Sequence, residues 1–360
     1  MSTIPLLPGI AQRTVHTDRL EMAYLETGEG AVPVVLVHGN CSSSHFFQDF
    51  MLALAATGRY KLYAPDMRGY GESESLPVDA TRGMRDFSDD LAAFVQAIDL
   101  PSFHLLGWSL GGNIAIQYAI DHPDRLHSLT LEAPGSPFGF GGTRDIEGSP
   151  TWPDFAGSGG GTANPDFAQR IAAGDHGNDQ NSPRAVMNTF YFHPPFRVSA
   201  EREEMLVSAM LAMKVSPANY PGDMTSSEHW PTVAPGTQGV NNALSPKYLK
   251  QSDFANITHK PPVLWIHGQA DQIVSDTSLF DFGFLGQLGL VPGWPGAEIY
   301  PPQPMKSQLH ALLEQYQANG GTYSEVALPN CGHSPHIEKQ EDVAQELIAF
   351  IDEHQCAPTS

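Results

Sequence analysis

Two side chains able to pass a proton between them stand in short turns bounded by glycine. Ser109 lies in Gly107-Trp108-Ser109-Leu110-Gly111, and His333 lies in Gly332-His333-Ser334-Pro335. A serine hydroxyl is a poor nucleophile until a base takes its proton, and the base needs a third group to hold its tautomer and stabilise it once protonated. Asp271, a few residues past Ile266-His267-Gly268, can be that group, so the chain order is Ser, Asp, His. The chemistry open to such a set is attack by an activated oxygen.

For three residues so far apart to meet, this reading needs the histidine and the carboxylate, like the serine, at strand ends. Phe103 to Leu106 is a short apolar run, and after Ser109 the residues Ile114, Tyr118, Ala115 and Ala119 recur at the spacing of a buried helical face. This predicts a strand, a sharp turn and a helix, with Gly107 and Gly111 clearing room for the crossing chain and Ser109 projecting above the sheet edge. The first N–H groups of the helix beginning at Leu110 point at an oxygen gaining charge beside the serine.

Further elements supply the scaffold. Gln12 to His16 and Leu20 to Leu25 read as an antiparallel edge, while Pro33 to Val37, Tyr60 to Ala64, Leu126 to Leu131 and Pro262 to Ile266 read as buried parallel strands. A helix is predicted over 88–98 with Ser88 as its N-cap, another over 305–318, a strand over 323–328 and a last helix bearing Val343, Leu347, Phe350 and Ile351. Strands alternating with helices imply a sheet covered on both faces, with reactive groups at its carboxyl edge. The glycine-rich loop Pro65 to Ser73 reads as structural.

Two stretches interrupt the alternation. Residues 136–258 are rich in Gly, Pro, Asn and Ser, with helical pieces near 165–173, 183–192 and 200–213. This is an insertion whose Met187, Phe190, Tyr191 and other apolar residues either pack within it or form a lid over the serine. Residues 278–302, with several aromatic residues among Gly and Pro, take no single assignment.

The balance of 40 acidic residues against 19 Lys plus Arg, a formal charge of -21, disfavours nucleic acid and anionic membrane as partners. Three cysteines, Cys41, Cys331 and Cys356, suit neither a disulfide framework nor a zinc site. The N-terminal stretch has no positive region ahead of its proline-broken apolar run, and no run is long enough to cross a bilayer. A cytoplasmic protein that needs no metal or cofactor is expected, with a homo-oligomer left open.

His38-Gly39, Asp66-Met67-Arg68-Gly69-Tyr70-Gly71-Glu72-Ser73, Gly107-Trp108-Ser109-Leu110-Gly111, Gly268-Gln269-Ala270-Asp271 and Gly332-His333-Ser334-Pro335 follow in an order and spacing that resembles the α/β-hydrolase fold family. The resemblance spans roughly residues 10–135 and 260–355. It implies a mostly parallel eight-stranded sheet with helices on both faces, a core of residues 1–135 and 259–360, and a largely helical cap over 136–258.

Residue by residue, it implies Ser109 as nucleophile, His333 as base and acid, Asp271 as the orienting acid, and the backbone N–H groups of Asn40 and Leu110 as an oxyanion hole. Glu132 is the alternative acid, because some members place theirs after that strand, and His336 competes with His333 as base. Trp108, Cys41, Met187, Phe190, Tyr191 and His336 are the candidate substrate-binding residues, and the two neighbouring thiols, Cys41 and Cys331, read as buried and unreactive. Asn40 is similar to a residue of the halide-holding loop of haloalkane dehalogenases, but those enzymes carry aspartate where this chain has Ser109. The expected reaction is hydrolysis of an ester or lactone of a bulky apolar substrate through an acyl-serine. The alternatives are hydrolysis of a carbon–carbon bond in a diketone by the same residues, or a receptor that kept the fold and turns over slowly.

Overall fold

A computed structural model describes residues 4–354. Cys356 and the first three residues of the N-terminal stretch lie outside the described residues. Eight strands form one sheet: β1 (Ala11–His16), β2 (Glu21–Thr27), β3 (Val32–Val37), β4 (Tyr60–Pro65), β5 (Phe103–Trp108), β6 (Leu126–Glu132), β7 (Val263–Gly268) and β8 (Tyr323–Leu328). Their spatial order is β1-β2-β4-β3-β5-β6-β7-β8. The β1–β2 and β2–β4 pairs are antiparallel and the remaining neighbours parallel. Every residue of β5 and of β7 is buried, as expected of strands covered on both faces. This is the architecture the family resemblance implied.

The strand-to-helix turn at Ser109 depends on close approach. A Cβ on Gly107 would lie 2.1 Å from the carbonyl oxygen of Gly111, and one on Gly111 would lie 2.1 Å from that of Val37. Only glycine lets helix α3 (Leu110–Asp121) cross so near the ends of β3 and β5.

Helix α2 begins earlier than its cap signal predicts. It runs Arg85–Ala97, with Met84 at the N-cap and Ser88 buried within it. Ion pairs override the local cap: Arg68 Nη2 lies 2.7 Å from Asp90 Oδ1, and Arg68 and Arg82 both reach Asp86 in the first turn. The 66–73 loop is held by hydrogen bonds to a carboxyl, since Asp66 accepts the N–H of Ser44 at 2.8 Å and of Glu72 at 3.0 Å.

The chain between β6 and β7 carries helices at Pro165–Ala172, Pro183–Val186 and Ala200–Leu211, the second continuing through a wider turn to Tyr191. It also holds two small two-stranded sheets that no periodicity announces. Met187, Met205, Leu206 and Met210 are buried there. Within 278–302 one short helix forms, Phe282–Gln287, capped by Asp281. Trp230 Nε1 donates to Pro292 O at 2.9 Å and Tyr300 Oη to Ala156 O at 3.1 Å, so this excursion is fastened to the insertion. No helix of the described residues is long and apolar enough to cross a membrane.

Candidate active site

Ser109 follows the last residue of β5 with φ of 56°, a conformation L residues seldom adopt. The turn is closed by the Ser109 N–H donating to Glu132 O at 2.9 Å and the Gly112 N–H donating to Ser109 O at 2.8 Å. His333 stands on the loop after β8, its N–H donating to Tyr191 O at 3.1 Å and its carbonyl accepting from Trp108 Nε1 at 2.7 Å. Asp271 follows β7, and its Oδ1 accepts the N–H groups of Ile273 at 2.8 Å and Val274 at 3.0 Å.

These supports bring the three side chains into one line. His333 Nε2 is 2.8 Å from Ser109 Oγ, and His333 Nδ1 is 2.8 Å from Asp271 Oδ2. With Nδ1–H facing the carboxyl, Nε2 is free to accept from the serine hydroxyl. His333 is 2% exposed and Asp271 5%, so water competes poorly for either.

The serine opens into a cavity of about 370 Å³. Asn40, Cys41 and Leu110 line it from the core, Phe140, Phe167, Phe190, Tyr191 and Asn241 from the insertion, and Ile273, Val274, Phe280, Phe282 and Leu285 from the stretch after Asp271. No Lys, Arg, Asp or Glu is among the described residues that line it. Burial pushes the Cys41 thiol up to about 12 and the Cys331 thiol well above its usual range, as suits inert sulfhydryls.

Several expected site residues stand elsewhere. Glu132 Oε1 accepts the backbone N–H of His336 at 2.6 Å and faces His336 Nδ1 at 2.9 Å, so it is engaged with His336 while Asp271 faces His333. His336 therefore does not line the cavity; its ring packs 4.7 Å from that of Phe47, beneath the histidine loop. Trp108 is fully buried, stacked 5.5 Å from Phe46, with its indole N–H spent on the His333 carbonyl. Met187 is fully buried too, because the wider helical turn presents Phe190 and Tyr191 to the cavity and turns Met187 into the packing.

Other residues hold the site through contacts between segments far apart in sequence. Glu338 Oε1 accepts the N–H of Gly332 at 2.9 Å and its Oε2 that of His193 at 2.6 Å, tying the histidine loop to the insertion; burial raises its carboxyl above the usual range. Asn40 Oδ1 accepts from Tyr70 Oη at 2.6 Å, its Nδ2 donates to Asn241 Oδ1 at 3.1 Å, and its carbonyl accepts from Tyr191 Oη at 3.0 Å. The Phe280, Phe282 and Leu285 wall could have been found from Asp281 as an N-cap followed by apolar residues at helical spacing.

Asp281 also makes a stability prediction. Its Oδ2 accepts the N–H groups of Phe284 and Gln303, both at 3.1 Å, while Oδ1 has no partner, and burial pushes the carboxyl up to about 6. The folded chain thus holds a proton that the unfolded chain has lost above roughly pH 4, so stability falls as pH rises from about 4 to about 6 and stays lower beyond. Asp281→Asn keeps an oxygen for both N–H groups and removes the ionisation. Thermal melts are expected to show the variant on the order of 2 kcal/mol more stable than wild type near pH 8 and equal to it near pH 4. The same difference at both values would contradict this account.

Residues 32–287 match the family model for the alpha/beta hydrolase fold, and the chain belongs to that family. It is 36% identical over 100 residues to the pimeloyl-[acyl-carrier protein] methyl ester esterase of Aeromonas hydrophila, covering 28% of this chain and 37% of the relative. It is 28% identical over 120 residues to the 2-hydroxy-6-oxononadienedioate/2-hydroxy-6-oxononatrienedioate hydrolase of Paraburkholderia xenovorans, covering 32% and 41%. The chain thus matches less than half the length of these relatives. A carboxylesterase structure from Bacillus subtilis superposes with a TM-score of 0.59 at 15% identity over 97% of this chain and 93% of that one, a likeness of fold.

Proposed function

We propose that the protein hydrolyses a carboxylic ester or lactone of a bulky, apolar, uncharged substrate through an acyl-serine intermediate. The observation that carries this reading is the unbroken hydrogen-bonded line from Ser109 Oγ through His333 to Asp271 at the wall of an apolar cavity.

Ser109 Oγ attacks the ester carbonyl as His333 Nε2 takes its proton, and Asp271 Oδ2 stabilises the imidazolium through Nδ1–H. The tetrahedral oxyanion is received by the backbone N–H groups of Asn40 and Leu110. Both residues line the cavity beside Ser109, and the N–H of Leu110 opens α3, where it has no partner within the helix. His333 then protonates the departing alcohol, and water activated by the same nitrogen releases the acid and restores the serine. Residues 136–258 act as a cap, supplying Phe140, Phe167, Phe190 and Tyr191 as an apolar wall.

The uncharged cavity bears on the alternative of carbon–carbon bond cleavage. The Paraburkholderia relative is named for dioate substrates, and no Lys or Arg among the described residues lining this cavity would receive a carboxylate.

A panel of neutral aryl esters, lactones, thioesters and ring-cleavage diketones at steady state tests the reading. Multiple turnovers are expected on neutral esters or lactones, with substrates bearing a carboxylate near the scissile bond much poorer. Preference for a diketone would move the reaction to carbon–carbon cleavage, and one slow turnover followed by tight retention would make the protein a receptor.

A further inference from the structure

A second histidine–carboxyl pair lies beneath the one at the serine. Glu132 is the last residue of β6, and its two ends act on different loops: its backbone carbonyl accepts the Ser109 N–H at 2.9 Å, and its Oε1 accepts the His336 N–H at 2.6 Å and faces His336 Nδ1 at 2.9 Å. With its ring proton on Nδ1, His336 offers that oxygen a second donor. Glu132 is 0% exposed and His336 1%.

The ring of His336 stands edge-on to Trp108 at 4.9 Å, and Trp108 in turn donates to the carbonyl of His333. One residue therefore grips the turn that carries Ser109 through its main chain and the loop that carries His333 through its side chain. The loop is also tied through Trp108, Tyr191 and Glu338, and the two bonds to one Glu132 oxygen add the tie that comes from the strand end holding the serine turn.

We infer that Glu132 and His336 form a clasp that sets the distance between the His333 imidazole and the Ser109 hydroxyl, each acting as a positioning residue. The inference rests on the serine chemistry proposed above. A displacement of about 1 Å at a reacting pair costs on the order of 100-fold in rate, with little effect on substrate binding.

The test measures kcat and KM on a neutral aryl ester, the rate at which a phosphonate ester labels Ser109, and the melting temperature. Glu132→Ala is expected to lower kcat and the labelling rate per folded molecule by about 100-fold with KM little changed. Glu132→Gln recovers most of that loss, because its amide oxygen still accepts the His336 N–H. His336→Phe, which keeps a ring against Phe47 and the backbone N–H bond to Glu132 but loses the Nδ1 donor, falls partway toward Glu132→Ala, and the double variant is no slower than Glu132→Ala alone.

Wild-type rates in a folded Glu132→Ala, or a lower melting temperature with an unchanged rate per labelled site, would overturn the clasp. Where Glu132→Ala does not fold, wild-type rates in both Glu132→Gln and His336→Phe overturn it equally. A wild type that takes up no phosphonate at Ser109 removes the serine reading and the clasp with it, whereas a labelled wild type with indifferent variants removes the clasp alone.

Discussion

Ser109→Ala is expected to reduce kcat for ester hydrolysis by about five to six orders of magnitude while leaving the fold and substrate binding intact. The hydroxyl is the only atom lost. The turn around it is held by backbone bonds, from the Ser109 N–H to Glu132 O and from the Gly112 N–H to Ser109 O, and these survive the change. What remains is whatever the oxyanion donors and the cavity contribute to attack by water. Mass spectrometry after treatment with a phosphonate ester should show one adduct on wild type and none on the variant. Retained turnover in Ser109→Ala, or an adduct on another residue, would remove the acyl-serine mechanism altogether.

Asp271→Asn should cost about 10,000-fold in kcat, and the reason is geometric. Asp271 Oδ1 already accepts two backbone N–H groups, from Ile273 and Val274, so an asparagine must place its amide oxygen there. Its NH2 then faces His333 Nδ1, which is forced to accept, and the ring proton moves to Nε2. That nitrogen can no longer take the proton of Ser109. Glu132→Gln, by contrast, leaves the tautomer of His333 untouched and should stay within about tenfold of wild type. Steady-state rates of the two variants on one ester decide between the two acids, and a nearly normal Asp271→Asn would return the role to Glu132.

Much of this site was legible in the residues alone. Gly107 and Gly111 around Ser109, the apolar run before it and the helical spacing after it left little choice of local structure, and His333 and Asp271 each followed a recognisable strand. What could not be read locally were outcomes decided by long-range partners. Ser88 looked like a helix cap until Arg68 and Arg82 drew Asp86 and Asp90 into the helix and extended it to Arg85. Trp108 and His336 are neighbours in sequence of Ser109 and His333, and proximity along the chain suggested the cavity. Packing places both under the loop instead, where the indole N–H and the imidazole find partners only in the fold. The 278–302 stretch resisted assignment because its one helix is a short piece among glycines and prolines, and the stretch is fastened by bonds that join Pro292 and Tyr300 to Trp230 and Ala156, far away in sequence.

The ties between residues 191–193 and the core bear on how such proteins diversify. Tyr191 donates its hydroxyl to the Asn40 carbonyl and accepts the His333 N–H at its own carbonyl, and the His193 N–H shares the Glu338 carboxyl with that of Gly332. The insertion is thus bonded into the loop that carries His333 and is not a module set beside it. A chimera that replaces this insertion with another protein's inherits an unfinished histidine loop unless it brings a tyrosine and a free main-chain donor to the same two places.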